Sequence, residues 1–337
     1  MRNIFFVICL LSCMITHAQE MVLPAKPSEG DTYIKNAIIH VGNGQVIENG
    51  VIKISNGKIQ SVGANVTVPA SGANVVDAKG KHVYPGLILP VSNLGLVEIS
   101  AVRATSDLRE MGEMNPSVRS ISAYDVDSRV INTLRSNGIL LANVVPQGSL
   151  LAGSSSVVQL DAWNYQDAAY QLDGGMHLFM PTMMPRPRFG RGGGGGGPRS
   201  PQESDPVKQG LEKIDEVRTF FKEAQAYLQS PTKEVTNLKF EAVKNLFDKK
   251  QKLYAHANNV RQMLTAMELA NEFGFDLVIV GGSESWQIAD LLKANNVSVI
   301  LQQPHSLPTL GDDAVDQPYK TAAQLQTAGV LFSIADD

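Results

Sequence analysis

The chain has 337 residues, a formal net charge of -4 at neutral pH and 43% apolar residues, enough for one large domain or two ordinary ones. The slightly acidic balance argues against a nucleic-acid partner, because phosphate contacts need a basic surface. The two cysteines, Cys9 and Cys13, both lie near the start of the sequence. A disulfide framework and a cysteine zinc site are therefore not expected.

The first residues have the pattern of an export signal. A basic residue precedes an apolar run over residues 4–11, and a small residue, Ala18, ends the segment. This pattern predicts a signal peptide over residues 1–18 and a mature protein in the periplasm or outside the cell. The residues before Cys13 also resemble a lipobox, which leaves lipoprotein anchoring as an alternative. No later segment of the sequence is long and apolar enough to span a bilayer.

Residues 33–83 alternate short apolar runs with turn residues. The run at residues 51–54 has a period of two residues, and the pair Asn56-Gly57 follows it. An Asn-Gly pair between alternating apolar residues is a strong hairpin signal. We therefore predict a small antiparallel β module of the sandwich type over residues 33–83.

From residue 84 onward the pattern favours buried strands alternating with amphipathic helices. Counting the candidate strands gives about eight, and this predicts a parallel (β/α)8 barrel over residues 84–337. The clearest strands are predicted at residues 138–145, 276–280, 297–301 and 329–334, and the clearest helices at 259–273 and 285–295. The last strand ends near the final residue, where a closed barrel would continue into a helix, so we expect a truncated chain.

A Gly/Pro/Arg-rich stretch over residues 181–206 interrupts this pattern. Six consecutive glycines occupy residues 192–197, without the Lys-Ser/Thr pair of a P-loop. The composition predicts a mobile surface insertion.

Three phrases in the sequence resemble the metal-dependent amidohydrolases of the imidazolonepropionase-like group. Residues 80–88, Gly-Lys-His-Val-Tyr-Pro-Gly-Leu-Ile, resemble the entry to the first barrel strand. Residues 253–257 resemble the fifth strand and present His256, and residues 332–337 resemble the eighth strand and present Asp336. The resemblance covers about residues 33–337. It implies a TIM-like barrel behind a β module, a divalent metal such as zinc, and hydrolysis of carbon–nitrogen bonds other than peptide bonds.

The chain departs from the family's pattern at three positions of the implied metal site. Where the family has Asp-x-His-x-His, this chain has Leu-Pro-Val-Ser-Asn, so the histidine positions are Val91 and Asn93. The histidine of the sixth strand falls on Gly281. Of the usual ligands His256 and Asp336 remain, and two protein ligands rarely hold a catalytic zinc.

The resemblance implies that His256 binds the metal and that Asp336 binds it and moves the proton. Each residue has a plainer alternative: His256 as a core histidine, and Asp336 as a helix cap. His305, after the seventh strand, and Asn93 are weaker candidates for substrate contacts, because barrel enzymes place their sites at this end of the sheet. For His305 a surface loop position is the alternative.

Two hypotheses of function follow. The first is an exported hydrolase that acts on a small molecule, with a degraded metal site and weak or altered activity. The second is a non-catalytic, amidohydrolase-like binding or scaffolding protein of the cell envelope, alone or in an oligomer with an intact homologue. A sugar-binding or transporter-associated barrel is a third option that rests on fold analogy alone.

Overall fold

A computed structural model describes residues 24–26, 30–148, 150–184, 205–233, 235–302, 305–308 and 313–335. The chain divides into two compact units, one that ends at Pro85 and one that begins at Gly86. The predicted signal peptide with Cys13, residues 185–204 of the predicted insertion, and Asp336 lie outside the described residues.

The strands and helices of the described residues follow one another in the order of the two units. The strands are β1 (Thr32–His40), β2 (Val46–Ser55), β3 (Lys58–Gly63), β4 (Asn74–Asp77), β5 (His82–Val83), β6 (Leu87–Ser92), β7 (Ile139–Val144), β8 (Leu151–Gln159), β9 (Ala169–Phe179), β10 (Lys252–Ala257), β11 (Leu277–Gly281), β12 (Ser298–Gln302) and β13 (Phe332–Ala335). The α-helices are α1 (Arg129–Ser136), α2 (Tyr165–Ala168), α3 (Pro206–Gln229), α4 (Leu238–Ala242), α5 (Lys244–Phe247), α6 (Val260–Phe273), α7 (Ala289–Ala294) and α8 (Gln317–Ala328).

The first unit is a five-stranded sheet built on β1 and β2. The predicted hairpin is present between β2 and β3, which pair antiparallel. Asn56 and Gly57 both have positive φ, 50° and 70°, as the two central residues of a type I′ turn require. Alternate residues of β1 and β2, among them Ile39 and Ile52, form the small apolar core.

The prediction of a wholly antiparallel module is wrong for two strands. Both β4 and β5 pair with β1 in the parallel sense, β4 along its first half and β5 near its end. Parallel pairing needs a connection that brings the chain back to the starting edge of the sheet, and residues 64–73 provide it.

The second unit is an eight-stranded sheet in the sequential order β6 to β13. Its edge strands β6 and β13 lie beside each other, so the sheet nearly closes on itself. The predicted TIM-like barrel with its preceding β module is confirmed in this respect. Helices α3, α6 and α8 pack on the outside of the sheet in the largest apolar core, which contains Phe221, Leu269 and Leu325.

One barrel strand runs against the others. Strand β8 is antiparallel to both β7 and β9, whereas a regular (β/α)8 barrel is wholly parallel. The connection from β7 to β8, residues 145–150, is too short for a crossover helix, and the connection from β8 to β9, residues 160–168, is also short. The chain therefore turns back on itself twice instead of crossing over.

Local sequence fixes the ends of the helix that follows β10. The Asn259 side chain accepts from the backbone N–H of Gln262, and the Gln262 side chain accepts from the backbone of Asn259, which is a complete capping box. Gly274 ends the helix in the left-handed conformation, with φ of 71°. This agrees with the predicted helix over residues 259–273. Among the described helices, none combines the length and the apolar character that crossing a membrane requires.

Candidate functional site at the barrel mouth

Strands β9 and β10 direct aromatic and imidazole side chains into the interior of the barrel, its lumen. Their parallel register places His177 opposite Tyr254 and Phe179 opposite His256. The intervening residues, such as Leu178 and Ala255, point outward into the helix-covered core. Because side chains alternate along a strand, this register brings all four rings to one face.

The two lumen histidines are hydrogen-bonded to each other. The distance from His177 Nδ1 to His256 Nε2 is 3.0 Å, so one ring donates and the other accepts. The His256 ring stacks on Phe179 with a centroid distance of 3.9 Å, and the His177 ring stacks on Tyr254 at 4.9 Å. His177 is completely buried, and its Nε2 atom has no partner among the described residues. Predicting this contact from sequence was not feasible, because the two residues lie on different strands.

The surroundings of this lumen pair keep both rings neutral. Burial lowers the pKa of His256 to about 3, although one edge of the ring still reaches the cavity described below. Burial and the neighbouring His256 ring lower the pKa of His177 well below its ordinary value. Apolar side chains make up much of the remaining lumen and disfavour a charged imidazole; they are Val91, Val145, Val278, Val280, Ile300 and Ala335.

A cavity of about 150 Å³ opens at the carboxyl ends of the strands, which we call the barrel mouth. The described residues that line it carry no charge: Val91, Ser92, Asn93, Val145, Gln147, Phe179, His256 and Gln302. His256 and Asn93 both line this cavity. His305 is exposed, contacts Tyr319 and does not belong to this lining. Gln147 and Gln302 also line the cavity, and the sequence analysis does not predict them. Their place at or just after the end of a barrel strand is the signal that could have identified them.

Hydrogen bonds fix the loop that follows His256. The Gln262 side chain donates to the carbonyl oxygens of Met180 and Pro181, which follow β9. The Glu284 carboxylate, after β11, accepts from the backbone N–H of Val260 at 2.9 Å. These contacts join the ends of three neighbouring strands and hold the rim beside His256 in place.

No protein-family profile and no curated protein matches the sequence. Among solved structures, the chain is similar to an amidohydrolase from Thermotoga maritima, with a TM-score of 0.73 and 22% identity over 90% of this chain and 78% of that one. The chain has the amidohydrolase fold.

Two further solved structures are less similar to the chain, with TM-scores below 0.5. They are a triazine hydrolase from Arthobacter aurescens (TM-score 0.42, 11% identity, 91% of this chain and 72% of that one) and an ochratoxinase from A. niger (TM-score 0.41, 14% identity, 91% and 76%).

The described residues of the barrel supply fewer metal ligands than the family resemblance implies. Among them, no group of three His, Cys, Asp or Glu side chains could hold an ion. Val91, at a predicted histidine position, is only 5% exposed and belongs to the apolar lumen. The lumen histidines each turn one nitrogen toward the other ring, and Asp336 lies outside the described residues.

The backbone at Gly281, where the resemblance implies the histidine of the sixth strand, also disfavours a side chain. Its φ is +98°, and a Cβ atom built there would collide with the Asn258 side chain. A histidine at this position would therefore carry backbone strain, and the exposed Asn258 side chain would have to turn aside for it.

We expect barrel stability to fall when the pH is lowered through the range in which an ordinary histidine takes up a proton. The pKa of His256 is about 3 in the folded chain, against about 6.5 in the unfolded chain. Between these values the unfolded state binds the extra proton, so the stabilisation is complete above about pH 6.5 and is lost as the pH falls. At about pH 5 the loss from this histidine is about 1–2 kcal/mol.

Urea unfolding at about pH 7.5 and about pH 5 measures this effect. The variant is His256→Gln, and the control is His305→Gln, which makes the same change at an exposed position. The pH dependence should shrink in the first variant and persist in the second. An identical pH dependence in all three proteins would show that the lumen pair is not held neutral.

We also expect Gly281→Ala to destabilise the barrel by about 2 kcal/mol, because strain from the positive φ adds to the cost of turning the exposed Asn258 side chain aside. Gly138→Ala is the matched control, since Gly138 has φ of +85° and open space around its Cβ position. The control should lose about 1 kcal/mol from backbone strain alone. Equal losses in the free energy of unfolding for Gly281→Ala and Gly138→Ala would show that the contact with Asn258 adds nothing to the backbone strain.

Proposed function

We propose that this amidohydrolase-fold protein binds a small uncharged molecule at the barrel mouth, and that metal-dependent hydrolysis there is weak or absent. The observation that supports this proposal best is Val91. A valine without a donor atom packs into the apolar lumen at the position where the resemblance implies a metal-binding histidine.

The chemistry of the mouth cavity indicates what it would bind. The carboxamides of Asn93, Gln147 and Gln302 each offer both donors and acceptors. Val91 and Phe179 provide apolar walls beside them. The described lining offers no counter-charge, so a charged ligand would lose its hydration without compensation. A neutral molecule with amide-like groups fits this lining.

The neutral histidine pair also favours binding over catalysis. A general base works best when its pKa lies near the working pH, and the pKa of His256 is about 3. At neutral pH this ring accepts or donates a hydrogen bond but takes up a proton only weakly.

A hydrolase of carbon–nitrogen bonds other than peptide bonds is the second candidate. It is favoured by the position of His256, which lines a cavity at the carboxyl ends of barrel strands, where enzymes of this fold class place their sites. In this candidate Asp336 would move the proton, and a small amide would be the substrate.

Metal content and turnover separate the two candidates. After incubation with excess zinc, manganese or iron and desalting, we expect less than about half an equivalent of bound metal, because the described residues supply too few ligands. We also expect no metal-stimulated hydrolysis of cyclic amides. Elemental analysis and ammonia or product release measure the two quantities.

The control for this experiment is His256→Gln, which removes the imidazole from the mouth cavity. One equivalent of metal in the wild type, with turnover that disappears in His256→Gln, would contradict our proposal and establish the hydrolase. Binding of neutral cyclic amides that is weakened by Asn93→Ala, without turnover, is the outcome that our proposal expects.

Export and assembly also remain proposals. The apolar run over residues 4–11 supports removal of residues 1–18, so intact-mass analysis of protein from the cell envelope should give a chain that starts at Gln19. A lipid adduct on Cys13 would support anchoring instead. Co-purification of an intact homologue tests the proposed hetero-oligomer.

A further inference from the structure

We propose that His40 and His82, oriented by Tyr84, form a surface binding site for a divalent transition-metal ion of the copper(II) type on the first unit. This site is separate from the barrel mouth and does not depend on the function proposed for it.

Strand pairing places the three side chains on one face of the sheet. In the parallel ladder of β1 and β5, Ile38 lies opposite His82 and Ile39 opposite Val83. Side chains alternate along a strand, so His40 and His82 share the face of Ile38, and Tyr84 follows two residues later on the same face. Ile39 and Val83 point the other way, into the small apolar core.

The two imidazoles are hydrogen-bonded to each other, at a separation that two ligands of one metal ion could also have. The distance from His40 Nε2 to His82 Nδ1 is 2.8 Å. Two nitrogens bound to one ion at about 2.0 Å and at right angles to each other are about 2.8 Å apart. Tetrahedral ligands at the same bond length would be about 3.3 Å apart. An ion with the two nitrogens at neighbouring corners of a square-planar or tetragonal site would therefore keep this separation. It would replace the hydrogen bond once the proton of the donor ring has moved to the other nitrogen of that ring.

Tyr84 restricts the orientation of the His40 ring. The two rings are stacked, with a centroid distance of 4.2 Å and an interplanar angle of 11°. The His82 ring lies nearly parallel to them, at 5.1 Å from the His40 ring and 6.1 Å from the Tyr84 ring. Stacking reduces the rotamer freedom that His40 would otherwise lose on binding an ion.

The cluster is accessible to an ion from solution. His82 is exposed, and Tyr84 has 63% of its surface exposed. Two imidazoles at an exposed surface leave the other coordination positions of an ion accessible to water. An ion with a strong preference for imidazole and tetragonal geometry suits this arrangement, and copper(II) also stands highest among divalent ions in affinity for nitrogen ligands.

Copper titration of the untagged full-length chain tests the proposal. Isothermal titration with a competing amino-acid ligand gives stoichiometry and affinity, and electron paramagnetic resonance reports a tetragonal ion with nitrogen ligands. His40→Asn and His82→Asn each remove one imidazole, and His305→Asn is the matched control at an exposed position outside the cluster. Circular dichroism checks that each variant is folded.

We expect one equivalent of copper(II) with a tetragonal nitrogen signal. Each substitution in the pair should weaken binding at least about tenfold, and His305→Asn should leave it unchanged. Tyr84→Phe keeps the stacked ring and should bind as the wild type does, whereas Tyr84→Ala should bind more weakly. Zinc(II) should bind more weakly than copper(II).

Three results would overturn the proposal. They are no copper binding by the wild-type chain, binding that survives loss of His40 or His82, and binding that disappears with His305. Zinc(II) that binds as tightly as copper(II) would overturn the tetragonal geometry. His256→Gln probes the barrel mouth separately and should leave copper binding unchanged; a loss of copper binding in that variant would place the ion at the mouth and overturn the proposal.

Discussion

The pairing of β9 with β10 decides which side chains reach the interior of the barrel. With His177 opposite Tyr254 and Phe179 opposite His256, four rings face the lumen and the residues between them face the helices. A slip of one residue in β9 would exchange its inward and outward residues and place Met176 and Leu178 inside. Burial of the outward residues under the helices therefore determines the register of β9 and β10. That register in turn determines which side chains line the mouth.

Much of the fold could be predicted from local patterns, because those patterns act over short distances. The capping residues around α6, the Asn56-Gly57 turn and the apolar strand runs all carry their own signals. The direction of β8 could not be predicted in the same way. It depends on the length of its connections, and an apolar strand has the same composition in either direction.

The site could also be predicted only in part. The resemblance to amidohydrolases implies a place at the barrel mouth for His256 and Asn93, and both line the cavity there. The contact between His177 and His256 could not be predicted, because no spacing in the sequence relates residues on different strands. The same is true of His40 and His82, which the ladder of β1 and β5 brings together.

These two histidine pairs share one contact in opposite surroundings. In the lumen, the ring nitrogens are 3.0 Å apart among apolar side chains, and a proton or a metal ion would have to bring charge into that environment. On the first unit the nitrogens are 2.8 Å apart at the surface, where water can complete the shell of an ion. Solvation, and not the identity of the residues, makes the first pair inert and the second available.

The reversal of β8 has a consequence for the order in which the barrel assembles. Strands β7, β8 and β9 form an antiparallel meander within residues 139–179, so its loops close at low entropic cost. The pairing of β9 with β10 must wait until a much longer segment, including α3, has been organised. Local contacts therefore favour formation of the meander ahead of the parallel half of the barrel.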